Sequence, residues 1–144
     1  MASLIIGDEI VGNFYELKSQ KLYACILLGL SSDNSRLEVE GLLDRTHDFD
    51  GMVSSHELPD NDVKFMIWDF EYETDENPPR KTSKLVLISW FPDSAPVRRK
   101  MPSAQGLNDL AQSLAGIQKK IRLTDLQGVS LTTAIRQELL KLEW

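Results

Sequence analysis

Residues Trp90–Met101 read WFPDSAPVRRKM and follow directly on the apolar run KLVLISW, Lys84–Trp90. That run predicts a buried strand. A proline turn (Pro92, Pro96) ends it, and three consecutive cations, Arg98, Arg99 and Lys100, stand at the start of the next helix. Cations at a helix N-terminus oppose the positive end of its dipole and so cost stability. Residues placed there against local preference suggest a contact surface just beyond a buried strand.

The pattern on either side of this stretch completes a fold class. From Ala95 to about Ile117 the spacing is helical, and Val97, Met101, Leu107, Leu110, Leu114 and Ile117 can share one face. Pro102 and Gly106 interrupt it, which predicts a kink or break. Upstream, Ser3–Lys18 reads as a helix, with Asp8 and Glu9 near its start and Ile6, Ile10, Phe14 and Leu17 at three- and four-residue spacing. Leu22–Leu30 is a continuous apolar run, as in a central strand, and the alternating Arg36–Leu43 is its hairpin partner. Residues 48–58 read as a short, weakly patterned helix, Lys64–Tyr72 as a third strand and Lys84–Trp90 as the fourth. Downstream, QKKIRL is a short fifth strand, and Ser130 or Thr132 caps a last helix with Ala134, Ile135, Leu139 and Leu142 on its buried face. The expected architecture is a mixed sheet sandwiched by helices. The antiparallel hairpins in the middle argue against a doubly wound parallel fold.

Composition narrows the function. A chain of 144 residues, 42% hydrophobic and 26% charged, can bury one core without disulfide or metal. No apolar run approaches the ~20 residues that span a bilayer, and the opening MASLIIGDEI lacks the basic region of a secretory signal. The lone Cys25 lies in an apolar run and reads as a buried structural thiol. The expected compartment is the cytoplasm, with the nucleus open as well. Net charge is −6 but uneven: residues 1–77 carry 17 Asp/Glu against 5 Lys/Arg, whereas residues 78–100 carry 6 Lys/Arg against 1 Asp. An acidic body with one basic segment argues against nucleic-acid binding, which needs a broad positive footprint. It suits docking on an acidic protein or on anionic lipid headgroups.

The catalytic inventory is thin. His47 and His56 lie in an acidic, turn-rich stretch without accompanying metal-ligand spacing. Asp69, Glu71, Glu73, Asp75 and Glu76 read as a solvated strand end rather than an acid–base pair. Trp68 and Trp90 fall in apolar strands and read as core; Trp144 ends the chain and takes no assignment. No phosphate loop, GxSxG or HExxH motif is present. The expectation is a protein that is not an enzyme and needs no cofactor or metal.

Three stretches resemble the actin-depolymerising factor/cofilin family. They are MAS with DEI…F…ELK at the start, KFMIWDFEYET (Lys64–Thr74), and above all SKLVLISWFPDSAPVRRKM (Ser83–Met101). The resemblance covers nearly the whole chain. It implies one ADF-homology domain over residues 1–144, of α/β (α+β) class, with a central mixed sheet of five to six strands sandwiched by four or more helices. It implies a monomeric cytoskeletal protein that binds monomeric and filamentous actin, prefers the ADP state, severs filaments and speeds subunit loss. Matched to the family's motif, the monomer contacts are Ser3 in the tail and Arg98, Lys100 and Met101 at the helix start. The filament contacts are Arg80, Lys81 and Lys84 in the loop before the fourth strand, which Pro78 and Pro79 should hold extended, and Arg136, Gln137 and Lys141 in the last helix. A solvated charged turn is the plain alternative for the loop cluster. An adaptor of the glia maturation factor type, binding the branch-nucleating actin-related complex, and a monomer-sequestering protein are the alternative functions.

The chain also departs from the family pattern. Where such helices continue M-x-Y-A-S-S-K-D-A, this one reads MPSAQGLNDLAQSL, with Pro102, Ser103, Gly106 and Leu107 as the replacements. No Lys or Arg occurs from Pro102 to Gln118. Weakened monomer affinity, or a changed balance between monomer and filament, is expected. Phosphoinositide headgroups should bind only weakly, because each nearby cation contributes ~1 kcal/mol at an anionic membrane. In the tail, Leu4, Ile5 and Ile6 follow Ser3 where a glycine is common. Ser3 is a phosphorylation candidate, since phosphate there would repel an acidic partner; an unmodified N-cap serine is the alternative.

Overall fold

The computed structural model of the chain describes residues 4–141. Strands β1 (Cys25–Leu30), β2 (Leu37–Leu43), β3 (Lys64–Glu73), β4 (Lys81–Trp90) and β5 (Lys119–Leu123) form one sheet in the order β2-β1-β3-β4-β5. Neighbours are antiparallel except β4 and β5, which are parallel, so the sheet is mixed as expected. Helices α1 (Asp8–Tyr15), α2 (Val97–Ser113) and α3 (Leu131–Leu140) flank it, and α1 runs on into a π turn, Glu16–Gln20. A parallel pair needs a crossover connection, and α2 provides it between β4 and β5.

Period-2 alternation divides the core into two layers. Ile26, Leu28, Phe65, Ile67 and Leu87 face α1 and α2, where Ile10, Phe14, Leu17, Leu110 and Leu114 meet them. Cys25, Leu27, Met66, Trp68, Val86, Ile88 and Trp90 face the other way and meet Leu131 and Ile135 of α3. Trp68, Trp90 and Cys25 are thus core residues, as their apolar surroundings predicted; burial pushes the Cys25 thiol well above its ordinary pKa. Trp90 Nε1 also donates to Pro59 O at 2.6 Å.

Four sequence expectations change. The described residues hold three α-helices rather than four or more, because residues 48–58 form turns. There Asp48 Oδ1 accepts the Gly51 N–H at 3.0 Å, His56 sits at φ 66, and Phe49, Met52 and Leu58 plug the second core layer. Local carboxylate bonding and a left-handed residue compete with helix. The N-terminal helix begins at Asp8 rather than Ser3; Gly7 is extended at its N-cap, and Ile5 bridges to Arg36, with its N–H on Ser35 O at 2.9 Å.

The remaining two changes concern α2. The helix continues through Pro102 and Gly106. Proline lacks the N–H that would serve Arg98 O one turn back, and that carbonyl instead accepts Asn34 Nδ2 at 3.2 Å. Gly106 is buried, and a Cβ there would overlap the Leu4 side chain, so the glycine is what lets the N-terminal segment lie on the helix. The buried stripe of α2 is Arg99, Ser103, Gly106 and Leu110 at helical spacing. Val97 (65% exposed) and Met101 (54% exposed) stand on the opposite face. Ser103 and Gly106 are too small to register as apolar in the sequence, so the single face expected for Val97, Met101, Leu110 and Leu114 divides: Leu110 and Leu114 are buried, Val97 and Met101 exposed.

Replacing a helical glycine by alanine ordinarily stabilises by ~1 kcal/mol. Here Gly106→Ala is expected to destabilise by about 1–3 kcal/mol through overpacking against Leu4. In a Leu4→Ala background the same change should become neutral or stabilising. Urea denaturation of the four proteins tests this reversal of sign.

Candidate functional site

Of the three cations that open α2, the middle one is spent inside the protein. Arg99 Nε and Nη2 donate to Asp62 Oδ1 and Oδ2 at 3.0 and 3.1 Å. Its Nη1 donates to Ser31 O at 2.7 Å and Asn34 Oδ1 at 2.8 Å, and its Nη2 also to Leu30 O at 3.0 Å. The side chain is 11% exposed. The guanidinium fork therefore ties the first turn of α2 to the end of β1, to the β1–β2 turn and to the entry of β3. A planar group with fixed donors suits four partner residues at once, which an ammonium would not. The helix-dipole cost at this position is offset by Asp62. Burial pulls the Asp62 carboxyl up, but the Arg99 hydrogen bonds, the Val63 N–H and the Arg99 and Lys64 charges outweigh it, so its pKa lies below the ordinary value.

The two flanking cations point outward. Arg98 is exposed, and its guanidinium engages no partner among the described residues. Lys100 Nζ rests on Asp93 O at 3.1 Å. Between them, Val97 and Met101 begin an outward stripe that continues through Ala104, Gln105, Asn108 and Gln112, none of them charged. The surface is therefore an exposed, uncharged strip, apolar at Val97 and Met101, mostly polar beyond them and flanked at its N-terminal end by two cations. Three of the residues assigned to monomer contact, Arg98, Lys100 and Met101, come together here; Ser3 lies outside the described residues.

The residues assigned to filament contact fall differently. The loop between β3 and β4 is closed rather than extended: Thr74 N–H donates to Arg80 O at 2.9 Å, and Arg80 N–H to Thr74 Oγ1 at 3.1 Å. Arg80 pairs with Glu76 at 3.2 Å and is largely exposed. Lys81 and Lys84 are three residues apart on β4, so they project to opposite faces of the sheet. Lys84 lies opposite Phe70, on the face that α3 covers. On α3, Arg136 Nε and Nη2 both donate to Glu73 O, at 3.1 and 2.9 Å, and Lys141 pairs with Glu138 at 2.7 Å. Lys84 and Arg136 thus share one side of the sheet, with Lys81 on the other.

The acidic run is not uniformly solvated. Asp69 is 3% exposed and pairs with Arg45 at 2.9 Å and Lys21 at 3.1 Å, while Glu71 pairs with Arg45 at 3.3 Å. His47 pairs with Glu57 at 2.9 Å, and His56 is exposed. Among the described residues no cluster of His, Cys, Asp or Glu could hold a metal, and no helix is long and apolar enough to cross a membrane.

The match to known proteins spans nearly the whole chain. The family described as cofilin/tropomyosin-type actin-binding protein matches residues 3–138. Cofilin of Saccharomyces cerevisiae is 34% identical over 137 residues, covering 94% of this chain and 92% of that protein. Actin-depolymerizing factor 4 of Oryza sativa is 32% identical over 130 residues, covering 90% and 91%. The crystal structure of Streptomyces griseoflavus cofilin superposes with a TM-score of 0.78 at 29% identity, covering 94% of this chain and 96% of that one. This chain belongs to the cofilin/actin-depolymerising factor family.

Because the folded pKa of Asp62 lies below the ordinary carboxylate value of ~3.9, its stabilisation is complete above that value. It is lost as the pH falls through the lowered folded pKa. Asp62→Asn should therefore cost stability near pH ~7 and cost progressively less toward pH ~2. Urea midpoints of both proteins across this range check it; a constant gap would mean the ion pair contributes nothing through its charge.

Proposed function

We propose that this protein binds monomeric actin through the start of α2, binds actin filaments through the β3–β4 end of the sheet and α3, and depolymerises and severs those filaments. The observation that carries the reading is the pairing of Arg98 and Met101, both exposed, on a turn whose backbone is held by Arg99. Arg98 and Lys100 reach for carboxylates of an acidic partner as charge-assisted donors. Met101 supplies an adaptable apolar contact between them. The names carried by the relatives, cofilin and actin-depolymerizing factor, support this function and do not favour the adaptor alternative.

The protein acts by binding rather than by covalent chemistry, as one ADF-homology domain over residues 1–144, working as a monomer in the cytoplasm on the cytoskeleton, with the nucleus as the alternative compartment. Ser3 remains the phosphorylation candidate that would switch the contact off by charge repulsion. The neutral face beyond Met101 leaves two cations to attract an anionic surface, so phosphoinositide headgroups compete weakly. For the same reason monomer binding should depend only shallowly on salt.

Pelleting of preformed filaments with and without the protein tests the reading: actin should move to the supernatant. Double reversal, Arg98→Glu with Lys100→Glu, should abolish monomer binding while the thermal midpoint stays within about 3 °C, since neither side chain is buried. Retained binding would sink the site assignment.

Lys84→Glu, on the α3 side, should reduce co-pelleting with filaments and leave monomer affinity unchanged. Lys81→Glu, on the other side, measures whether the filament surface extends across both faces of the strand. Loss of monomer binding in Lys84→Glu would merge the two surfaces into one.

A further inference from the structure

We propose that Asn34 and Arg99 are positioning residues for the partner-binding start of α2, and that Asn34 stands in for the helix hydrogen bond that Pro102 removes. The proposal rests on the reading of Arg98, Lys100 and Met101 as the monomer contact.

In an α-helix the N–H of residue 102 would donate to the carbonyl of residue 98. Pro102 has no N–H, and it lies beyond the first turn, where the loss would otherwise be harmless. Asn34 Nδ2 donates to that same carbonyl, at 3.2 Å, from a turn 64 residues away in sequence. The other end of the same amide, Oδ1, accepts Arg99 Nη1 at 2.8 Å. Only one orientation of the amide satisfies both neighbours, because a guanidinium only donates and a carbonyl only accepts. Asn34 therefore grips two consecutive residues of α2, one by its backbone and one by its side chain. The backbone of Arg98 is fixed while its side chain is left to solvent.

The turn that holds Asn34 is itself stiff. Asn34 adopts φ 63, a left-handed conformation that asparagine tolerates. Its N–H donates to Ser31 O at 3.0 Å. Asp33 Oδ1 accepts Ser31 Oγ at 2.7 Å and Ser35 Oγ at 2.6 Å, and Ser31 Oγ accepts the Ser35 and Arg36 N–H groups at 3.2 and 3.1 Å. Arg99 completes the clamp through Asp62 and the carbonyls of Leu30 and Ser31. Arg98 and Lys100 are the immediate neighbours of Arg99, so any rotation of this turn swings both charged heads. The β1–β2 turn, which carries no contact residue, thereby acts on partner recognition.

The test is a double-mutant cycle in the full chain: wild type, Asn34→Gly, Pro102→Ala and the pair together. Glycine accepts the left-handed backbone and deletes only the amide. Affinity for monomeric actin and thermal midpoint are measured for each. Asn34→Gly is expected to weaken affinity about fivefold or more. With Pro102→Ala the helix regains its own donor, and the same substitution should then cost less than about twofold. Equal losses in the two backgrounds would overturn the proposal, because a donor that stands in for the missing N–H of Pro102 must lose its effect once residue 102 supplies its own; a coupling seen in the thermal midpoint but not in affinity would leave Asn34 a stability role only. Should Asn34→Gly fail to fold, Asn34→Asp replaces it, keeping the acceptor for Arg99 and removing the donor to Arg98. The Arg98→Glu, Lys100→Glu protein separates the two levels. Normal binding by it defeats the site reading itself; abolished binding, with Asn34 silent in both backgrounds, defeats the positioning role alone.

Discussion

Strands β1, β3 and β4 are apolar on both faces, and a sheet of that kind has to be covered twice. Most of the architecture follows from this requirement. Helices α1 and α2 take one face, while α3 and the turns around Phe49, Met52 and Leu58 take the other. Since β4 and β5 are parallel, α2 must cross over the sheet between them, which carries the basic start of the helix to the end of β1 and the outer face of α2 into solvent. The crossover that completes the core is thus also the element that offers a surface.

Close approach on the α1/α2 side sets what α2 can be made of. Ser103 is buried, and Gly106 leaves room for Leu4, so the inward stripe is partly built from small residues. That choice weakens the helix locally, as does Pro102. The losses are met from outside the helix: Leu4 packs onto Gly106, Asn34 serves the orphaned Arg98 carbonyl, and Arg99 pins the first turn. The departures from the family pattern in Pro102–Leu107 are matched by contacts that only the folded chain assembles. They change how the helix is held more than where it lies.

The charge economy follows the same logic. Three cations in a row at a helix start would repel one another and the dipole. Drawing Arg99 inward onto Asp62 and two carbonyls removes one of them from the surface and leaves Arg98 and Lys100 separated on either side of Met101. An acidic protein then keeps a small basic face at one place, where an acidic partner can be recognised without attracting polyanions in general.

Much of this was legible in the sequence. Five strands were placed by apolar runs and alternation, because a strand's burial is written into neighbouring residues with period 2. The string WFPDSAPVRRKM marked both the helix start and the family, and it located Arg98, Lys100 and Met101. Where signals were local but weak, the reading failed: residues 48–58 carry apolar side chains at near-helical spacing, yet Asp48 and His56 make turns of them. The register of α2 was misread because small residues mark its buried side, although Leu110 counted back in steps of three and four reaches Gly106, Ser103 and Arg99. Partners far away in the chain were beyond reach. Nothing around Asn34 or Asp62 announces Arg99, and nothing around Pro102 announces Asn34. Sequence by itself determined which segments are apolar, where the charges lie and which family they resemble, since these are properties of adjacent residues. Only the tertiary structure decided what the middle cation of the three does, because the partners of Arg99 depend on what the sheet brings against the helix.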